Sequence, residues 1–456
     1  MRGMTHILFC LILANLSGQT ASEAIHLLKD EIGFGARALS MGGAVVASSN
    51  DPASMYWNPA ALTGMTYGSF YLEGNNLYYQ NKTTYVGQTT DNPFQKFGTF
   101  NGFGIAYPIP TVRGSLVLAL GYNKIVHYDG LMSFSGFSVR DNDLAFPITV
   151  DGKEKDHKFS EKVQRSERVI SNGGLQQLTF SFGVALAPTT SGGLSLSRIT
   201  GREDYEFKFA QEDIQNRYTQ FPADFHQYNL VQSLITQTSG WQIRGGLKQS
   251  INEWVHIGIA LSLPFTLKVE EQHGTDENLT FDNGENATEN VTGYYDYKVQ
   301  MPMVADMGLA LTISNLAINT SLRFKDWGTT QFDLKDMDPG SEDYQYLAEE
   351  NSRLKFQYRP VVQLRAGLEY LLEINERFGI TLRGGGGVLP SPDGDSKVDR
   401  NFYAFGVGVP LVDVILIDAT YISTQWEKNS SDGYTPSGAL ETVNTGRLLL
   451  NLTYLF

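Results

Sequence analysis

The stretch from Thr445 to Phe456 reads TGRLLLNLTYLF. Leu448, Leu450, Leu452, Tyr454 and Phe456 fall on one parity; Arg447, Leu449, Asn451 and Thr453 fall on the other. Successive side chains of a β-strand point to opposite faces, so this is a strand with one apolar face and one mixed face. The pattern recurs upstream. Phe180, Phe182, Val184 and Leu186 alternate with Thr179, Ser181, Gly183 and Ala185. Leu316, Ile318, Leu322 and Phe324 alternate with Asn319, Ser321, Arg323 and Lys325. A soluble sandwich would bury each apolar face under a second sheet. Strand after strand with one apolar side instead suits lipid outside and a polar lumen inside.

Segments of this kind number about fourteen. They fall near 65–79, 99–109, 114–127, 174–187, 192–209, 237–249, 253–269, 294–313, 315–327, 360–372, 377–388, 401–410, 412–426 and 444–456. Short turns alternate with long polar connections at 80–98, 128–173, 210–236, 270–293, 328–359, 389–400 and 427–443. Short periplasmic turns and long outer loops are the habit of outer-membrane barrels, and an even strand number puts both termini on the periplasmic side. The expected fold is all-β: a transmembrane antiparallel β-barrel over residues 65–456, in a bacterial outer membrane and surrounded by its lipids. A terminal Phe closing an alternating strand resembles the C-terminal signal of such proteins.

Residues 1–24 read as a signal peptide: Arg2 and His6, an apolar run from Ile7 to Leu16, and Ser22-Glu23-Ala24 at a cleavage site. Cleavage after Ala21 is the alternative. The only cysteine, Cys10, lies in that segment, so disulfides and thiol chemistry are not expected. A net charge of −14 argues against nucleic acid, whose phosphates need a basic face. No nucleophile elbow, phosphate loop or zinc motif occurs, so no enzyme, cofactor or metal is expected. Asp393, Asp395 and Asp399 lack the glutamate of a calcium loop.

Residues 25–64 do not read as a strand. Small residues dominate from Gly33-Phe34-Gly35-Ala36-Arg37 to Gly42-Gly43, followed by Asn50-Asp51-Pro52-Ala53 and Tyr56-Trp57-Asn58-Pro59-Ala60. A compact segment threaded inside the barrel, a plug or hatch, is expected here. This stretch resembles the hatch of the FadL/TodX family, outer-membrane transporters of long-chain fatty acids and aromatic hydrocarbons. The hatch residues carried over are Gly33, Gly35, Arg37, Gly42, Gly43, Asn58, Pro59 and Ala60. A weaker match runs from Arg359-Pro360 to Gly384–Gly387.

The resemblance implies a monomeric, porin-like channel for passive uptake of a hydrophobic small molecule: a fatty acid, a hydrocarbon or a detergent-like compound. The alternative is a plugged barrel of a secretion system that carries or presents lipidated or secreted surface proteins. Ile214, Tyr218, Phe221, Phe225, Tyr228, Leu230, Val231 and Leu234 recur at three- and four-residue spacings, which predicts a helical, partly apolar outer loop over 210–235; the resemblance implies a ligand entry there, at Phe221, Phe225, Tyr228 and Leu230. Arg244, Arg323, Arg365 and Arg383 take the lumen parity, with Asp306, Glu369, Asp418 and Arg447. Arginine forks suit carboxylates, so these residues either hold an acidic head group or tie the plug to the wall. The glycines at 384–387 are expected to let the plug's backbone come close.

Overall fold

In the computed structural model, residues 19–150, 153–219, 224–375, 378–395, 398–412 and 414–456 are described. The predicted signal peptide up to residue 18, and Phe221, lie outside them.

The wall is a closed antiparallel barrel of 14 strands. The first six are β1 (Ser69–Tyr85), β2 (Gln95–Ile109), β3 (Leu116–His127, continued by Gly130–Ser138), β4 (Val163–Ala187), β5 (Thr190–Glu212) and β6 (Phe225–Ser250). Then come β7 (Val255–Ser262, continued by Phe265–Phe281), β8 (Asn286–Met301, continued by Val304–Ile313), β9 (Leu316–Asp326) and β10 (Pro360–Asn375). The last are β11 (Phe378–Leu389), β12 (Arg400–Val412), β13 (Ile415–Ser430) and β14 (Ala439–Leu455). Closure comes from β1 against β14, from Ser69 opposite Leu455 to Thr84 opposite Leu440. Both ends of the wall therefore lie at the short-turn end. The breaks in β7 and β8 fall at Pro264 and Pro302, where the ring removes a ladder donor.

The faces separate as the alternation predicts. Thr320, Leu322 and Phe324 are exposed, whereas Asn319, Ser321, Arg323 and Lys325, which alternate with them, are buried. The C-terminal strand repeats this, with Leu450, Leu452 and Tyr454 outward.

Several long connections differ from the sequence reading. Residues 80–98, 128–173, 210–236 and 270–293 are mostly strand, because β1, β2 and β4 to β8 run beyond the apolar belt and a separate hairpin, Ala145–Val150 against Lys153–Lys158, stands in 128–173. Among the described residues the predicted helix does not occur: Phe225, Tyr228 and Leu230 lie in β6. A register shift between Phe225 and Gln227 places an odd and two even positions on one face, so a bulged strand reproduces helical spacing. All three are buried in an aromatic cluster with Phe146, Phe159, Phe209 and Phe281 above the lumen. Phe159 stacks on Phe225 at 4.9 Å. A helix does occur in the connection 328–359: α4, Glu342–Gln357, whose first turn is capped by the Ser341 hydroxyl accepting from Tyr344 N at 3.2 Å.

The plug fills the lumen. It contains α1 (Ala21–Lys29), α2 (Ala36–Ser40), α3 (Ser54–Trp57) and a 3-10 turn, Pro59–Gly64. Helix α1 straddles the expected boundary at residues 24 and 25, with Thr20 as its cap. Its apolar face, Ala21, Ala24, Ile25 and Leu28, packs in one core with Leu347 and Leu354 of α4. The Ala21 N–H donates to the buried Glu350 carboxylate at 2.7 Å. The start of α1 thus sits beside a long connection. An even strand number fixes where the wall begins and ends, not how far the plug climbs inside it.

Candidate functional site

The plug is seated on inward-facing wall glycines. A Cβ on Gly308 of β8 would lie 2.8 Å from Val46, one on Gly246 of β6 would lie 2.9 Å from Pro59, and one on Gly183 of β4 would lie 2.8 Å from the Pro59 carbonyl. Gly42, at φ +65°, meets the glycine run of β11: a Cβ there would lie 2.6 Å from the Gly386 nitrogen. Gly385 is equally tight against Met41 and Gly42. Only a wall without side chains lets plug backbone this close, which accounts for glycine inside strands. Gly33 and Gly35, at φ +81° and +95°, take left-handed conformations that bulkier residues disfavour.

Asn58 is fully buried and joins plug to plug and plug to wall. Its Nδ2 donates to the Val46 carbonyl at 2.7 Å and to the Leu247 carbonyl of β6 at 3.1 Å. Its Oδ1 accepts from Ala60 N at 3.1 Å, across Pro59. Asn58→Ala leaves buried backbone groups unpaired, which costs about 1–3 kcal/mol. We expect brief current bursts from this variant in a planar bilayer, with the barrel still folded.

The lumen arginines come together with carboxylates. Arg323 Nε donates to Asp306 Oδ1 at 2.8 Å, and Arg244 donates to the other oxygen of the same carboxylate. Arg244 also reaches the Trp57 carbonyl at 2.9 Å, and Arg323 the Tyr56 hydroxyl at 3.0 Å. That hydroxyl donates to Glu31 at 2.7 Å. Arg365 lies 5.2 Å from the Trp57 ring centre. Lower down, Arg37 grips Glu369 through two nitrogens at 2.8 and 2.9 Å. Arg383 bonds Glu369 at 2.7 Å and Asp418 at 2.5 Å. The four predicted lumen arginines therefore meet the plug or one another's carboxylates, and the geometry is that of a tie between plug and wall.

Spacing alone did not single out several further links. Arg400 of β12 pairs with Asp30, and His26 of α1 lies 3.0 Å from Glu203 of β5. Glu73 of β1, almost fully buried, accepts from the Ala36 and Gly35 nitrogens at 2.6 and 3.3 Å and from Asn101 Nδ2 at 2.5 Å. The inward parity of Glu73 was readable in the sequence; its partner in the plug was not.

The plug separates two cavities. The one toward the long connections has a volume of about 660 Å³. The polar face of α1 (Thr20, Glu23, His26, Asp30) forms one side of it, and Leu77, Tyr79, Leu234, Ile422 and Trp426 form others. Arg447 also lines it, and its Nη1 has no hydrogen-bond partner among the described residues. The cavity toward the short turns, about 520 Å³, holds the Arg37, Glu369 and Arg383 cluster.

The upper cavity reaches a discontinuity in the wall. Pairing of β2 with β3 ends at Gly102 opposite Asn123. Above this point β2 continues against β1 alone, up to Gln95 opposite Tyr79. On the other side β3 follows β4, breaks at Tyr128 and Asp129, and its continuation packs against β1. His127, Tyr128, Asp129 and Gly130, at that break, line the cavity. Phe100 and Phe103 of β2 are exposed where the pairing with β3 ends.

A lipid-facing belt around a plugged lumen defines the class: a transmembrane β-barrel closed by its own N-terminal segment. Among solved structures the chain is similar to the toluene transporter TodX of Pseudomonas putida, with a TM-score of 0.59, 14% identity, and coverage of 94% of this chain and 99% of that one. It is also similar to the Ralstonia pickettii toluene transporter TbuX (TM-score 0.55, 15% identity, 93% and 99% covered) and to a Pseudomonas aeruginosa FadL homologue (0.55, 12%, 90% and 95%). The barrel and its plug thus have the FadL/TodX fold. No family model matches the chain, and no curated protein matches it in sequence.

Proposed function

We propose that the protein is a passive channel of the bacterial outer membrane for hydrophobic small molecules. The observation that carries this reading is the upper cavity, closed below by the plug and reaching a break in the wall. Its volume falls within the range usual for small-molecule sites. A solute enters from the long-connection side, where the cluster around Phe225, Tyr228 and Leu230 must part. It rests against Leu77, Ile422 and Trp426 and leaves sideways between β2 and β3 into the lipid. The names of the similar structures, toluene transporters and a FadL homologue, support a hydrophobic solute. Arg447 offers a partner to an acidic head, which favours a fatty acid over a bare hydrocarbon. On this reading the mature chain is a monomer that keeps all of α1, with processing upstream of Thr20. N-terminal sequencing checks that point.

The test is mass spectrometry of molecules bound to protein purified from its native membrane, with uptake of a labelled fatty acid and of toluene by proteoliposomes. Saturable binding of either, lost when the cavity is filled by Leu77→Trp, supports the channel. Arg447→Leu should weaken fatty acid and spare toluene. A protein that binds neither and instead purifies with a surface protein belongs to the secretion alternative.

A further inference from the structure

We propose that Glu73 is a positioning residue that makes the side opening of the wall depend on the position of the plug. The inference rests on the lateral exit proposed above.

Residues 32–36 of the plug cross the foot of the opening from the inside and touch both of its lips. On the β3 side, the Ile125 carbonyl lies just past the last residue paired with β2, and it accepts from the Ile32 N–H at 3.3 Å. On the other side, the hydrogen bonds to β2 run through β1. Gly35 and Ala36 donate to the Glu73 carboxylate, and the same carboxylate holds Asn101.

Asn101 occupies a special place. The β1–β2 register shifts between Glu73 and Gly74, which face Gly102 and Phe100, so Asn101 is the extra residue of a bulge. It directly precedes Gly102, where the β2–β3 ladder stops. A bulge ends regular pairing and re-aims a strand. Here its side chain is turned inward and almost fully buried, onto Glu73.

Glu73 is thus bonded at once to the plug and to the residue that ends the wall's pairing. The three bonds share two oxygens, so a shift of Gly35 and Ala36 changes what holds Asn101, and a change at Asn101 changes what holds the plug. A buried carboxylate that loses one of few donors is costly to leave as it is. Movement of the plug by a solute in the cavity is then transmitted to the lip of the opening, and the opening does not widen while the plug is seated.

The test uses the full-length protein in lipid vesicles with two independent readouts. The first is ion leak through the plug in a planar bilayer. The second is the rate at which a lipid-dissolved alkyl maleimide reaches a cysteine at Leu77, in the cavity behind the opening; Cys10 is the only native cysteine. Asn101 makes no side-chain hydrogen bond to the plug among the described residues, yet Asn101→Ala should raise both the leak and the labelling rate several-fold. Glu73→Gln should do the same, and the two changes together should add little to either alone. Asn101→Ser, too short to span to Glu73, carries the same expectation if the alanine variant does not insert. Faster labelling with an unchanged leak, or no change in either, overturns the coupling. A rise in both with no faster release of a fluorescent fatty acid into the bilayer leaves the coupling in place and refutes the lateral exit.

Discussion

Deleting residues 30–60 converts a silent barrel into an open pore. The wall has no need of the plug for its own hydrogen bonds, since each strand is bonded to its neighbours and β1 closes on β14. The lumen arginines of the wall also keep their carboxylates, although Glu73 loses the Gly35 and Ala36 donors and Arg400 loses Asp30. Arg244 and Arg323 share Asp306, and Arg383 keeps Glu369 and Asp418, all of them wall residues. Arg37, the one arginine of this set that belongs to the plug, leaves with it, and Glu369 retains Arg383. The deletion removes Glu31, Asp51, Tyr56 and Trp57, and joining Lys29 to Ala61 pulls α1 from its place beside α4. Stepwise, long-lived currents are expected in a planar bilayer, against none from the intact protein. The check that the barrel is folded is its heat-modifiable mobility on a gel. A deletion variant that inserts, folds and stays silent would show that these residues do not block the pore.

Leu322→Arg is expected to cost about 2–4 kcal/mol of folding stability in lipid vesicles, the range for a cation near the middle of a lipid-facing wall. Leu322 is exposed on β9, and its cross-strand partners Met307 and Leu364 are exposed on the same outer face. The control must be chosen with the plug in mind. Asn319, one of the inward residues of β9, is buried with its Nδ2 3.7 Å from Met41 Sδ, so an arginine there collides with the plug. Thr424 lines the upper cavity, where an arginine has room, and Thr424→Arg is expected to cost well under half as much. Denaturant titration in vesicles measures both. Equal losses would mean that the inside and outside of the wall are wrongly assigned.

The fold was legible from the chain because lipid and lumen impose opposite demands on alternate residues. TGRLLLNLTYLF and its counterparts in the other strands record that demand directly. The alternation of short and long connections gave the count and the direction of the strands. The plug was legible too, from small residues and from Asn58-Pro59-Ala60, because a backbone packed in a lumen leaves little space for side chains. The sites were less so. The spacing of Phe225, Tyr228 and Leu230 is compatible with a helix and with a bulged strand, and only pairing with β5 and β7 decides between them. Sequence parity placed Arg244, Arg323, Arg365 and Arg383 in the lumen but left open whether they face a solute or the plug. Periodicity reports which face a residue takes, and it carries no information about what stands opposite. Asp306, Glu369 and Trp57 meet those arginines because the barrel closes and the plug climbs through it. For the same reason, the end of β2–β3 pairing at Gly102 and the bonds from Glu73 to Asn101 and Ala36 arise only from register and three-dimensional closure.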